Sequence, residues 1–142
     1  MVSGIKTNEE VNAIYKQLRN DRKIKALIMK INDNAELEVE SQYPTQGFKY
    51  EEFEAGFPTD QGRFAVIDFD YTHDDGRLDF KIIFILWAPI ACKPIQKMKY
   101  STSVNAIVDG LGSIALQIQA DDISDVTYDK IKGKLLDKFK SV

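Results

Sequence analysis

Residues 63–87 read RFAVIDFDYTHDDGRLDFKIIFILW and decide the fold class of this chain. Branched aliphatic and aromatic residues dominate residues 63–72 and 77–87, so both segments are predicted to be β-strands. Asp74-Asp75-Gly76 between them is typical of a hairpin turn. Apolar side chains fall on both alternating faces of each strand, which predicts a sheet covered by other layers on both sides.

The segments on either side of this hairpin alternate between strand and helix patterns. Alternating or continuous apolar residues predict three further strands, at residues 23–31, 36–43 and 114–119. Apolar residues at helical spacing predict four helices: one capped by Thr7, one at residues 50–57, one after Pro94, and one capped by Ser124 or Asp125. The order αββαββαβα predicts one α/β domain, residues 1–142, with a mixed five-stranded sheet sandwiched between helices.

The composition narrows the possible functions. The chain has 142 residues, 44% of them hydrophobic, which suits one domain with a sizeable core. Its net charge of −3 argues against nucleic-acid binding, which needs a basic field. No apolar run reaches the roughly 18–20 residues that span a bilayer, and the single cysteine, Cys92, suits a reducing compartment. We therefore expect a soluble, cytoplasmic protein.

Charge is distributed unevenly along the chain. From Lys93 onwards there are eight lysines and six aspartates, a balance of +2, so the first 92 residues carry −5. The lysines form two clusters, Lys93/Lys97/Lys99 and Lys130/Lys132/Lys134/Lys138/Lys140. A local basic face on an acidic protein indicates a specific acidic partner.

The candidate catalytic and metal-binding groups do not assemble into a site. His73, the only histidine, stands beside Asp74 and Asp75, but no second cluster at ligand spacing accompanies it, so we predict a solvated turn. Asp68 and Asp70 share a strand face like a carboxylate pair, which keeps a small hydrolase open as a rival function. We expect no catalytic residue, no metal and no cofactor.

Residues 97–107, KMKYSTSVNAI, allow two interpretations. In the first, Ser101 or Thr102 caps a short helix and the lysines are ordinary surface. In the second, the helix begins near Ile95, and the hydroxyl residues lie within it, where they are intrinsically unfavourable. Small side chains would then let another surface approach closely, and Met98 would be an exposed, adaptable anchor.

Three motifs resemble the actin-depolymerising factor/cofilin family: Ser3-Gly4-Ile5, FILWAP at residues 84–89, and KMKYSTS at residues 97–103. The resemblance covers essentially the whole chain, and the predicted order of elements agrees with the family fold. It implies a non-enzymatic protein whose long helix docks in the groove between actin subdomains one and three. The actin-binding residues implied by the resemblance are Ser3, Gly4, Ile5, Lys97, Met98, Ser101, Thr102 and Asn105.

The resemblance also implies a second face, directed at a neighbouring filament subunit and formed by Lys81, Lys130, Lys132 and Lys134. Basic residues of this kind also suit anionic inositol phospholipids. Ser3 is implied as a phosphorylation site, since a phosphate adds about −1.5 to −2 charge against an acidic actin surface. The implied protein is a monomer of the cytoplasmic actin cytoskeleton that binds actin monomers and filament sides and promotes severing and depolymerisation. Nuclear entry stays open.

Four positions depart from the family pattern. Ile95 and Asp79 stand where basic residues are usual, and Val104-Asn105 replaces a lysine–aspartate pair. Because these changes remove charge contacts, they keep an alternative open, namely a coactosin-like protein that binds filament sides without severing them.

Overall fold

A mixed β-sheet forms the centre of the computed structural model, which describes residues 6–7 and 9–139. Its strands are β1 (Lys6–Thr7), β2 (Ile24–Ile31), β3 (Glu36–Pro44), β4 (Arg63–Thr72), β5 (Leu78–Trp87) and β6 (Leu116–Ala120). The helices are α1 (Glu9–Arg19), α2 (Tyr50–Glu54), α3 (Pro94–Leu111) and α4 (Tyr128–Lys138). All five predicted strands and all four predicted helices are present. The two-residue edge strand β1 was not predicted, because so short a segment carries no periodic pattern.

The strands lie in the order β1-β3-β2-β4-β5-β6. The outer pairs β1–β3 and β5–β6 are parallel, and the inner pairs are antiparallel, so the prediction of a mixed sheet is confirmed. The hairpin of β4 and β5 is in register from Arg63 opposite Trp87 to Thr72 opposite Leu78. Its turn is closed by hydrogen bonds from the His73 N–H to the Arg77 carbonyl and from the Gly76 N–H to the His73 carbonyl.

Helices cover both faces of the sheet, as the two-sided apolar strands predicted. Helices α1 and α3 pack on the face that contains Phe64 and Val66 of β4. Helices α2 and α4 pack on the opposite face, against the alternate residues Ala65 and Ile67. Among the described residues, no helix is both long enough and apolar enough to traverse a membrane.

Helix α3 is long, which decides between the two interpretations of residues 97–107. Pro94 occupies the start of the helix, where its missing N–H is not needed. Gly112 follows the last turn with φ +72°, and its N–H donates to the Val108 carbonyl. The interpretation that the helix begins near Ile95 is therefore confirmed, and the short helix capped by Ser101 or Thr102 is wrong.

Tyr100 fixes the position of α3 on the sheet. Its hydroxyl accepts a hydrogen bond from the Ile31 N–H at 3.0 Å, and its ring centroid lies 4.9 Å from that of Phe64. Gly62 permits this packing, because a Cβ at that position would lie 2.9 Å from the Tyr100 ring. With one face of α3 held in this way, the opposite face has a defined orientation toward solvent.

The predicted cap of the last helix is wrong. Ser124 and Asp125 lie inside a separate 3₁₀ turn, Ile123–Val126, which is capped by Asp122. Helix α4 begins later, with Thr127 as its N-cap. The stretch from Asp122 to Thr127 contains four residues of types that cap helices, so the sequence alone did not identify which of them caps α4.

Candidate functional site

The exposed ridge of α3 brings four of the sequence-predicted residues together. Met98, Ser101, Thr102 and Asn105 are all exposed and follow one another at the three- and four-residue spacing that places side chains on one helix face. Met98 keeps 61% of its surface accessible. The buried residues of the helix, Tyr100, Ser103, Ile107 and Leu111, face the sheet.

The hydroxyl groups of this ridge are satisfied within the helix itself. Ser101 Oγ donates to the Lys97 carbonyl at 2.8 Å, and Thr102 Oγ1 donates to the Met98 carbonyl at 2.8 Å. Because these donors already have partners, covering them with another surface leaves no donor unpaired. The ridge therefore combines one large apolar side chain with small polar groups whose removal from water costs little free energy.

Further apolar and basic side chains lie at the head of α3 and in the loop before it. Ile95 is 73% exposed, and Ile90 in the preceding loop is 75% exposed. Lys97 is half-buried, and its Nζ donates to the Ile90 carbonyl at 3.4 Å, while Lys99 is exposed. The sequence analysis did not identify Ile90. Its position directly after Pro89, in a loop, could have indicated an exposed aliphatic side chain.

The predicted filament-facing lysines do not form one tight cluster. Lys81 of β5 lies near the C-terminal end of α4, with its Nζ 4.6 Å from the ring centroid of Phe139. Lys130 lies in the first turn of α4, and Lys134 lies one turn further on; both are exposed. Lys132 is half-buried. The structure therefore places these lysines along the length of α4, with Lys81 at one end.

The prediction that His73 lies in a solvated turn is wrong. His73 is only 4% exposed, and its Nε2 lies 2.9 Å from Asp79 Oδ2. The Tyr71 hydroxyl donates to the same carboxylate oxygen at 3.3 Å, and Lys81 Nζ lies 3.7 Å from it. The hydrogen bond with His73 is the main reason that the pKa of Asp79 falls to about 2. Phe69, Tyr71 and His73 are spaced by two residues and therefore lie on the same face of the strand, a pattern that indicated burial of His73.

Asp68 and Asp70, the carboxylates of the rival hydrolase, are both engaged in ion pairs. Asp68 is buried, and its Oδ2 lies 3.7 Å from Arg22 Nε. Asp70 Oδ1 lies 2.5 Å from Lys25 Nζ. Burial raises the pKa of Asp68, while the charges of Lys25 and Arg22 lower it. Within residues 6–7 and 9–139, no three histidine, cysteine, aspartate or glutamate side chains lie close enough to hold a metal ion.

The predicted N-terminal contacts and the predicted phosphorylation site lie outside the described part of the chain. These residues are Ser3, Gly4 and Ile5.

Comparison with known proteins identifies one family. The family model described as cofilin/tropomyosin-type actin-binding protein matches residues 4–136. A cofilin from Mycosarcoma maydis is 34% identical over 136 residues, covering 95% of this chain and 96% of that protein. Actin-depolymerizing factor 1 from rice, Oryza sativa subsp. japonica, is 31% identical over 134 residues, covering 94% of this chain and 96% of that protein.

A solved structure agrees with the fold. The crystal structure of Streptomyces griseoflavus cofilin superposes with a TM-score of 0.84 at 32% identity, covering 92% of this chain and 96% of that chain.

Proposed function

This chain belongs to the family of cofilin/tropomyosin-type actin-binding proteins, and we propose that it binds actin monomers and filament sides and promotes filament severing and depolymerisation. We further propose that residues 1–142 act as one domain, that the protein is a monomer, and that it is not an enzyme. Its proposed location is the cytoplasmic actin cytoskeleton, with entry into the nucleus open.

The ridge of α3 is the observation that carries this proposal. An exposed thioether beside an ammonium group, followed by hydroxyls that are already hydrogen-bonded, suits insertion into a cleft. Burying Met98 gains apolar contact, while Ser101 and Thr102 permit close approach without leaving unpaired donors. Lys97 adds long-range attraction to an acidic partner. Asn105 extends the same face by one turn, and Ser3, Gly4 and Ile5 are proposed to complete it.

The second proposed contact, to the neighbouring subunit of a filament, uses Lys81, Lys130, Lys132 and Lys134. Asp79 weakens this face, because its carboxylate lies 3.7 Å from Lys81 Nζ and offsets part of the positive charge. Solvent-exposed charge pairs contribute about 1 kcal/mol or less each. Because each pair contributes so little, we expect binding to filament sides to depend on the combined charge of these lysines and not on any one of them.

Two kinds of regulation are proposed for the same surfaces. Phosphorylation of Ser3 would place negative charge against an acidic partner and weaken binding to actin. Anionic inositol phospholipids would compete for the lysines, including Lys97, Lys130 and Lys134. Vesicle flotation of a triple lysine-to-alanine variant tests the second idea, and unchanged flotation would defeat it.

Co-sedimentation with actin filaments tests the main proposal, with supernatant and pellet both quantified. Wild-type protein should pellet with filaments and raise the fraction of actin in the supernatant, and Lys97→Ala should reduce both effects. Lys49→Ala is a matched control, because Lys49 is an exposed lysine outside both proposed faces. No change in either fraction with wild-type protein would reject the proposal.

The alternative function is that of a coactosin-like protein, which binds filament sides without severing them. Asp79 and Ile95, which occupy positions where the family usually has a basic residue, favour this alternative. Direct imaging of filament lengths separates the two functions. Decorated filaments that do not shorten would support the coactosin-like alternative.

A further inference from the structure

An open groove of about 560 Å³ lies beside the head of α3, on the side of the 3₁₀ turn. Its volume falls in the range of about 300–1,000 Å³ that is usual for ligand sites. The groove lies between the loop after β5, the loop after α2 and the turn that follows β6. Ile90, whose carbonyl accepts a hydrogen bond from Lys97, lines the groove at the side of α3, whereas the residues named above as proposed actin contacts do not line it.

The groove is apolar at its base and at its edges. Phe57 and Trp87 are buried and form the base, with ring centroids 5.0 Å apart. The Trp87 indole is held in place, since its Nε1 donates to the Pro58 carbonyl at 2.7 Å. Ile90 and Ile123 stand at the edges, 75% and 43% exposed. Two large aliphatic side chains exposed on either side of an aromatic base indicate a surface that gains from being covered.

The charged residues that line the groove are all acidic. Glu54, Asp121 and Asp122 contribute carboxylates, and no lysine, arginine or histidine is among the described residues that line it. Burial, and then the charge of Glu51, raise the pKa of Glu54. Asp122 is occupied as the cap of the 3₁₀ turn, whereas Asp121 is exposed at the edge. An occupant with positive charge beside its apolar part therefore complements this groove.

We propose that this groove binds a peptide segment of a partner protein that carries adjacent large apolar side chains flanked by lysine or arginine. The apolar side chains cover Phe57 and Trp87 between Ile90 and Ile123. The flanking cations lie against Glu54 and Asp121. This site differs in sign from the lysine-rich head of α3, and the proposal does not rest on the proposed actin-binding function.

The fluorescence of a tryptophan in the groove can report binding at this site. Trp87 is the only tryptophan, and it lines the groove. A tryptophan-free peptide, acetyl-Lys-Arg-Leu-Phe-Arg-Lys-amide, serves as the probe. We expect a saturable change in tryptophan fluorescence with a dissociation constant of roughly 10–300 µM. Two comparison peptides replace either the four cationic residues by Glu and Asp, or the Leu-Phe pair by Ser-Ser; neither should give a saturable change.

Variants of the full chain assign the response to the groove. Asp121→Lys and Ile90→Asn should each weaken binding of the basic peptide by about tenfold. Asp109→Lys is the matched control, because it reverses an exposed charge on α3 away from the groove and should leave the affinity within about twofold. Thermal unfolding of each variant verifies that the fold is retained.

Three results would overturn the proposal. The first is the absence of any saturable response to the basic peptide up to about 1 mM. The second is an equal response to the acidic or the serine peptide. The third is a loss of affinity in Asp109→Lys as large as that in Asp121→Lys, which would indicate general charge attraction instead of a site.

Discussion

Replacing Met98 by alanine isolates the apolar contribution of the α3 ridge to actin binding. The side chain points away from the core, so the substitution changes the docking surface without opening a cavity. Full burial of a methionine side chain is worth about 1.5–3 kcal/mol. Because 61% of its surface is accessible in the free protein, docking can gain about 1–2 kcal/mol of this. The dissociation constant for actin monomers should therefore rise roughly 5- to 30-fold.

The assay is equilibrium binding to fluorescently labelled actin monomers, which removes the second face from the measurement. Leu78→Ala is the matched control, since Leu78 is 57% exposed and lies at the start of β5, roughly 30 Å along the strand from Trp87, after which the chain leads into α3. The thermal unfolding midpoint of Met98→Ala should match that of wild type. If Met98→Ala binds actin monomers as tightly as wild type, or if Leu78→Ala loses as much affinity, then α3 does not provide the docking surface.

Three further predictions concern the filament face and the fold. The double variant Lys130→Ala/Lys134→Ala should weaken filament co-sedimentation by roughly tenfold at low salt, with monomer binding unchanged; equal loss in both assays would contradict two separate faces. Asp79 has a pKa of about 2, lowered from its ordinary value, so its contribution to stability is present above about pH 4 and lost as the pH falls toward 2. Urea unfolding should accordingly show Asp79→Asn less stable than wild type at pH 7, with the difference shrinking near pH 2; a constant difference would contradict this. Tyr100→Phe should lower the free energy of unfolding by about 1–3 kcal/mol, because it leaves the buried Ile31 N–H without its acceptor; a change below about 0.5 kcal/mol would show that the N–H finds another partner.

The α/β architecture could be predicted because each long element carries its own periodic pattern. Residues 63–87 alone predicted a hairpin in a sheet covered on both sides, and this was confirmed. The start of α3 could not be decided in the same way, because serine and threonine favour N-caps and are also tolerated within helices when they donate to the carbonyl four residues back. What decides it is the contact of Tyr100 with Ile31 and Phe64, which are distant in sequence.

The environment of His73 shows a second limit of sequence reasoning. Its neighbours Asp74 and Asp75 are exposed, as a turn predicts. Its own side chain continues the buried face of β4 and meets Asp79 across the hairpin. This pairing depends on which residues face each other across the hairpin. The residues adjacent to His73 in the sequence do not reveal that register. The ridge of α3 was implied by the family resemblance; helix geometry places Met98 to Asn105 on one face only if the helix includes all of these residues.

The two proposed actin-binding faces draw on different forces, and ionic strength should therefore separate them. The α3 ridge is centred on Met98, and its neighbour Ile95 is apolar, so its contact energy, apart from the attraction of Lys97, depends little on screening. The face of Lys81, Lys130 and Lys134 acts mainly through charge, and the Debye length falls from about 10 Å at 0.1 M salt to about 3 Å at 1 M. We propose that binding to a filament side requires both faces and that binding to a monomer requires only the ridge, so rising salt should release this protein from filaments before it releases actin monomers. Asp79 Oδ2 lies 3.7 Å from Lys81 Nζ and offsets part of its charge, so we expect the proposed filament face to be the weaker of the two even at low salt.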